Sequence, residues 1–338
     1  MKSDAVKRAW PWLRVIIPIL LIAVLVWRVG TGPFLHGLGD VTIPSVLAAL
    51  GVGLLTTVLS ALRWRVVAHH LGLELSLRRA VADYYRALFL NVVLPTGVLG
   101  DVQRAVRHGQ NTGDVGRGVR AVVLERTGGQ VVLFGLGLVV LLVQPDAASS
   151  VAHAIVTSPA AAILSGVLVV LIVAFVVTLK WGRSTSKWRR AVTTTLTDIR
   201  AGLLTRDTWP AVVLLSALVL LGHLVLFLVS ARTAGSHAGL GQLLAPIVLA
   251  LLASGLPLNI GGWGPRESVA VLAFAAAGLG ATQGLTIAVV YGVLTFVGSL
   301  PGAVVLLVRY VTGLRSARSK VELEEGVVAE HVPANGRT

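Results

Sequence analysis

Hydrophobic and polar positions alternate along this chain in long blocks, with apolar runs separated by short basic loops. Runs at 13–29, 43–62, 121–143, 160–179, 211–230 and 284–308 approach or exceed the roughly 20 apolar residues that cross a bilayer as an α-helix. Two further apolar stretches, 81–94 and 240–258, run into interruptions of matching form. The first is LPTGVLGDVQR at 94–104 and the second LPLNIGGWGPR at 256–266. Each reads Leu-Pro, four residues, Gly, three residues, Arg. The pattern predicts an all-α polytopic membrane protein with about six full spans.

Composition sharpens that reading. Of 338 residues 55% are hydrophobic and 13% charged, and the mean hydropathy is +0.84. A soluble domain of this length needs a far more charged surface. The first run follows Lys7 and Arg8, but no small-residue cleavage site succeeds it, so it reads as a retained span. Cysteine is absent, which excludes disulfides and thiolate metal sites. The net charge of +14 sits in short loops with few interleaved aromatics, a distribution that fits the positive-inside rule rather than nucleic-acid binding.

Charge placement orients the runs. Lys2, Lys7, Arg8 and Arg14 put the N-terminus in the cytoplasm, and the Lys- and Arg-free loop 30–42 outside. Arg63, Arg65, Arg78, Arg79 and Arg86 mark the inside, as do Arg104, Arg107, Arg117 and Arg120 after the first interruption. That interruption therefore enters from the cytoplasm and returns to it as a re-entrant hairpin. The loop 144–159 is outside, and the basic loop from Lys180 to Arg206 inside. Arg309, Arg315, Arg318 and Lys320 make the C-terminus cytoplasmic, so the second hairpin starts and finishes outside. Of the 29 Lys and Arg residues, only Arg28, Arg232 and Arg266 then face outward. Units at about 43–143 and 210–308 thus share one plan in opposite orientation, the mark of an inverted repeat. Residues 1–312 form the membrane domain, and 313–338 a polar cytoplasmic tail that reads as disordered.

Proline removes a backbone donor, and glycine admits backbone angles other residues avoid. Pro95, Gly97 and Gly100 should break the first hairpin; Pro257, Asn259, Gly261, Gly262 and Gly264 should break the second. Broken backbone at membrane depth survives only against protein or a wet cavity, so both breaks are expected to line one cavity. Charges accompany them: Asp101 and Arg104, Glu125 and Arg126 at the start of the third span, and Arg266 and Glu267. An ionised side chain at a helix centre costs about 2.5–3.5 kcal/mol on insertion scales, which selects for pairing or hydration. These six are the candidate substrate-binding residues. His223 reads as a hydrogen-bonded packing residue, and Gly135, Gly137, Gly292 and Gly298 as close helix contacts. Trp181, Trp188 and Trp209 read as interfacial anchors, and the loop 180–207 as a candidate amphipathic helix on anionic lipid.

At these residues the sequence resembles the flippase-like membrane proteins related to the transmembrane region of lysylphosphatidylglycerol synthases. The resemblance rests on LPTGVLGDVQRA (94–105), ERTGG (125–129) and LPLNIGGWGPRE (256–267), and covers nearly the whole chain to about Arg309. Two departures stand out: Leu99 replaces the first glycine of a Gly-Gly-Asp, and Pro265 precedes the Arg-Glu pair. About 30 polar residues follow the last span, which leaves no room for the soluble transferase domain of the full synthases. The resemblance implies the lipid-translocating half. The expected function is therefore a lipid flippase or transporter in the cell membrane. It would move a charged phospholipid or lipid-linked substrate between leaflets, without cofactor or metal, alongside a separate lipid-modifying enzyme. A secondary transporter of a small solute or ion is the alternative. An intramembrane enzyme is the third reading, disfavoured because Val98 occupies a glycine that the G-x-G-D motif of aspartyl proteases requires and no G-x-S-x-G or H-E-x-x-H occurs.

Overall fold

A computed structural model describes residues 32–94, 97–145, 149, 153, 205, 208–255 and 263–312. The runs at 13–29 and 160–179, the loop 180–207 with Trp181 and Trp188, and the tail lie outside the described residues. So do Pro95, Pro257, Asn259, Gly261 and Gly262. Among the described residues the structure is helical: α1 (Gly32–Gly39), α2 (Ile43–His70), α3 (Leu77–Val93), α4 (Leu99–Thr112), α5 (Val115–Val143), α6 (Trp209–Thr233), α7 (Leu240–Ser254), α8 (Pro265–Ala276) and α9 (Ala281–Ser299). Helical backbone continues beyond α9 to Thr312. Among the described residues four segments are long and apolar enough to cross a membrane: α2, α5, α6 and the stretch from Ala281 to Thr312.

The helices begin and end where local chemistry dictates. Ser45 satisfies the start of α2 by accepting from the Thr42 amide at 3.0 Å and donating to its carbonyl at 2.8 Å. The apolar run had suggested a stop at Leu62, but nothing there breaks a helix, and α2 carries Arg63, Trp64 and Arg65 onward to His70. Arg63, read as a loop cation, is thereby buried inside a span. The loop 30–42 differs from expectation too. It contains α1, which packs on α9 with Gly37 against Val289, where a Cβ would lie 3.0 Å from the Val289 side chain.

One order of elements occurs twice. A long apolar helix, a shorter helix, a break, a second short helix and another long helix make up α2–α5, and the same succession makes up α6–α9. Within each unit the short helices pair, α3 with α4 and α7 with α8, and the second packs on the closing long helix, α4 on α5 and α8 on α9. Between units α2 lies against α6, α5 against α7, and α9 against α3. Exchanging one unit for the other maps α5–α7 onto α9–α3 and α2–α6 onto itself.

Polarity is arranged as a bilayer requires. Leu54, Leu55, Val131, Phe134, Leu138, Leu214 and Leu221 are exposed on outer faces, while Ser60, Arg63, Arg104, Glu125, Arg266 and Glu267 are buried. Small residues bring the helices together, as they do where lipid removes the hydrophobic drive for association. A Cβ on Gly53 would lie 3.0 Å from the Gly298 Cα, and one on Gly100 only 2.1 Å from the Ala87 carbonyl oxygen. The α3–α4 hairpin is therefore closed backbone to backbone.

Candidate functional site

Asn91, on the last turn of α3, bridges the first break. Its Oδ1 accepts from the Gly100 amide at 2.8 Å, satisfying one of the free donors at the start of α4. Its Nδ2 donates to Asp101 at 2.9 Å. Gly97, with φ of 63°, makes the turn that permits this approach. Asp101 then stands in the first turn of α4, where the helix dipole favours an anion.

Three helices contribute charges to one cluster, and α3 adds a tyrosine and an asparagine. Glu125 on α5, fully buried, accepts from Arg63 of α2 through Nε at 2.9 Å and also through Nη2. Arg104 of α4 donates to it at 3.0 Å, and the Tyr84 hydroxyl of α3 at 3.3 Å. The same Arg104 Nη2 lies 3.0 Å from Asp101 Oδ1 and so bridges the two carboxylates. Arg126 donates to both oxygens of Asp101, at 2.8 and 2.7 Å. The Arg104 guanidinium sits between Trp64 and Tyr84, 4.5 and 4.3 Å from their ring centroids, an arrangement that contributes about 0.5–2 kcal/mol per ring. Burial works to raise the Asp101 carboxyl, but Arg126 and Arg104 prevail and hold it down at about 2. The cluster sets three guanidiniums against two carboxylates.

Arg126 differs from its neighbours in being 41% exposed, whereas the Arg104 and Glu125 side chains are sealed. It faces a groove of about 530 Å³, within the roughly 300–1,000 Å³ typical of organic-ligand sites. The polar end is formed by Asn91, Asp101, Arg126 and Gln130, and the wall by Val98, Val102, Val119 and Val123. Val102 and Val123 are more than half exposed on the outer surface. Gly97 from the first break and Ser254 and Gly255 at the start of the second line this one groove. A Cβ on Gly255 would meet Gln130 at 2.5 Å.

The second pair lies elsewhere. Pro265 occupies the first position of α8, where its missing donor and fixed φ suit a helix start. Glu267 Oε2 accepts from the Gly264 amide at 2.7 Å, capping the helix, and its other oxygen takes Arg266 Nε at 2.9 Å. Arg266 is buried over Trp263 and Tyr291, 5.5 and 5.1 Å from the ring centroids. The close approach of α9 is permitted by Gly292, where a Cβ would meet Arg266 at 2.5 Å. Of the six charged candidates the structure thus joins Asp101, Arg104, Glu125 and Arg126 in one cluster and Arg266 with Glu267 in another. Among the described residues no hydrogen bond or ion pair links the two. His223 packs as expected, with Nδ1 3.0 Å from the Tyr291 hydroxyl.

Sequence reasoning missed Arg63, which looked like part of a basic flank, and Trp64, Tyr84 and Asn91. It also missed Asp83, buried on α3, which accepts from Arg309 beyond α9 at 2.7 Å. The one available signal that the helix continues through it was the lack of any Gly or Pro between Leu54 and Leu71.

The family model for the lysylphosphatidylglycerol synthase transmembrane region matches residues 12–302. The chain belongs to this family. It is a membrane protein by that membership and by its four apolar helices. No curated protein and no solved structure matches it. For this family member the matched span contains both breaks and both charge clusters.

Proposed function

We propose that this family member moves a membrane lipid with a polar or charged head group between the leaflets of the cell membrane. The observation that carries the reading is the groove at Arg126. Its polar end offers a half-exposed guanidinium, an amide and a carboxylate, and its valine wall continues onto the exposed outer face. Such a shape suits a head group inside and acyl chains outside, whereas a soluble solute has no use for an apolar side wall. The doubled order of elements and the paired contacts support two units of inverted orientation, with both termini cytoplasmic. We assign the chain no chemical step of its own. A lipid-modifying enzyme would be a separate partner, and the energy source an ion or lipid gradient.

Reconstitution in liposomes with labelled lipids of different head groups tests the reading. Inward or outward movement of a charged phospholipid is expected in the wild type, with loss in Arg126→Gln at unchanged insertion. Flux of a soluble solute without lipid movement would replace this reading with a small-solute transporter. Orientation is tested by cysteine labelling, which needs no background removal in a chain without Cys. A cysteine at Asn111 should react only from the cytoplasm, and one at Leu38, Ser149 or His237 only from outside. Reaction at position 237 from the cytoplasm would overturn the inverted arrangement.

A further inference from the structure

A second, smaller cavity lies deeper in the molecule, enclosed by α2, α3, α6 and α9. It measures about 120 Å³, below the range typical of organic ligands. Its polar lining includes Thr57, Ser60, Arg63, Tyr84, Arg126 and His223. Carboxylates are missing from that lining, since Asp101 faces the groove and Glu125 is sealed behind Arg63. Thr57, which lines this cavity, is 1% exposed. Ser60 is likewise buried.

Charge makes this cavity more than a packing defect. Arg63, Arg104 and Arg126 face only Asp101 and Glu125, and among the described residues no third carboxylate joins the network. An uncompensated charge inside a low-dielectric region is unfavourable, and it is relieved by pairing or by hydration. The groove is the poorer place for a counter-ion, because Asp101 lines it and repels an anion. The inner cavity is lined by Arg63, paired with Glu125 and Ser216, by Arg126, paired with Asp101, and by hydroxyls and an imidazole, and no carboxylate lines it.

We propose that the inner cavity is a binding site for a small inorganic anion of chloride size, held by Arg63, Arg126 and the hydroxyls of Thr57 and Ser60. Hydroxyls and guanidiniums supply the donors a halide needs, and the size excludes a glycerophosphate head group with its chains. The site shares Arg126 with the groove, but Thr57, Ser60 and Arg63 line the inner cavity and not the groove, so variants at Thr57 and Ser60 separate anion binding from lipid transport.

The test is direct binding of radiolabelled chloride to the full chain in detergent, with thermal unfolding followed as chloride replaces gluconate at constant ionic strength. Saturable chloride binding and a saturable rise in Tm are expected. The double variant Thr57→Val, Ser60→Ala should weaken both by tenfold or more. Val123→Trp, which fills the groove, should leave chloride binding unchanged while stopping lipid movement. Equal behaviour in chloride and gluconate, or full binding by the double variant, would overturn the site. If the double variant does not fold, radiolabelled chloride binding by the wild type still decides. Competitive loss of bound chloride on adding phosphatidylglycerol vesicles, and not on adding phosphatidylcholine vesicles, would place a lipid phosphate in the cavity and overturn the inorganic-anion assignment.

Discussion

The two interruptions carry the same residue classes and use them differently. In the first, Asp101, Arg104, Glu125 and Arg126 share partners across α2, α3, α4 and α5, and one guanidinium remains half exposed to a groove. In the second, Arg266 and Glu267 are adjacent, pair with each other and close over the start of their own helix. The first cluster holds an excess positive charge; the second balances. Matching motifs therefore do not fix whether a charge is free to meet a ligand. The adjoining long helices decide that: α5 brings a carboxylate and a second cation to the first motif, while α9 brings Tyr291 and Gly292 to the second.

The largest test of this contrast removes one carboxylate from each. Losing a partner from a buried ion pair destabilises by about 3–5 kcal/mol. Glu125→Gln should reach the upper end, because Arg63 and Arg104 both lose their acceptor. Glu267→Gln should stay at the lower end, because glutamine still caps Gly264 and Arg266 keeps its rings. Thermal or denaturant unfolding in detergent measures both, and the reverse order would break the comparison. Next in size is a pair of close-packed glycines, Gly100 on α4 and Gly284 on α9. Gly100→Ala sets a methyl 2.1 Å from a backbone oxygen, and Gly284→Ala sets one 2.6 Å from the Ala270 oxygen and the Phe274 Cβ. Overpacking of this kind destabilises by about 1–3 kcal/mol, and Gly100→Ala should be the worse of the two because neither contact atom is a movable side chain. The smallest expected effect is in coupling. Asp101→Asn with Arg126→Gln should show an interaction energy within about 0.5–3 kcal/mol, whereas Asp101→Asn with Arg266→Gln should add to within about 0.5. Strong coupling in the second cycle would reunite the two clusters in one functional site.

Charged residues beside glycine and proline in an apolar chain are conspicuous, which is why Asp101, Arg104, Glu125, Arg126, Arg266 and Glu267 were legible. Their grouping was not. Residue 125 meets residue 63 only because two long helices cross, and nothing local to either announces it. Arg63 carried a misleading signal, since a cation after an apolar run reads as a loop flank until a buried partner is known. Trp64 and Tyr84 look like ordinary aromatics until Arg104 is found between them. The pairing of Asp83 with Arg309 joins positions 226 apart in the chain. The breaks were legible because Pro and Gly act locally, and the described ends of both do meet at one groove.

Along α2, Gly53, Thr56, Ser60 and Arg63 lie on one face at spacings of three and four residues, and all four border the inner cavity. At roughly 1.5 Å per residue this ladder is ~15 Å long, half of a hydrocarbon core ~30 Å thick. The opposite face of the same helix offers Leu47, Leu54 and Leu55 to lipid. One helix thus insulates a polar track from the acyl chains over half the thickness of the membrane.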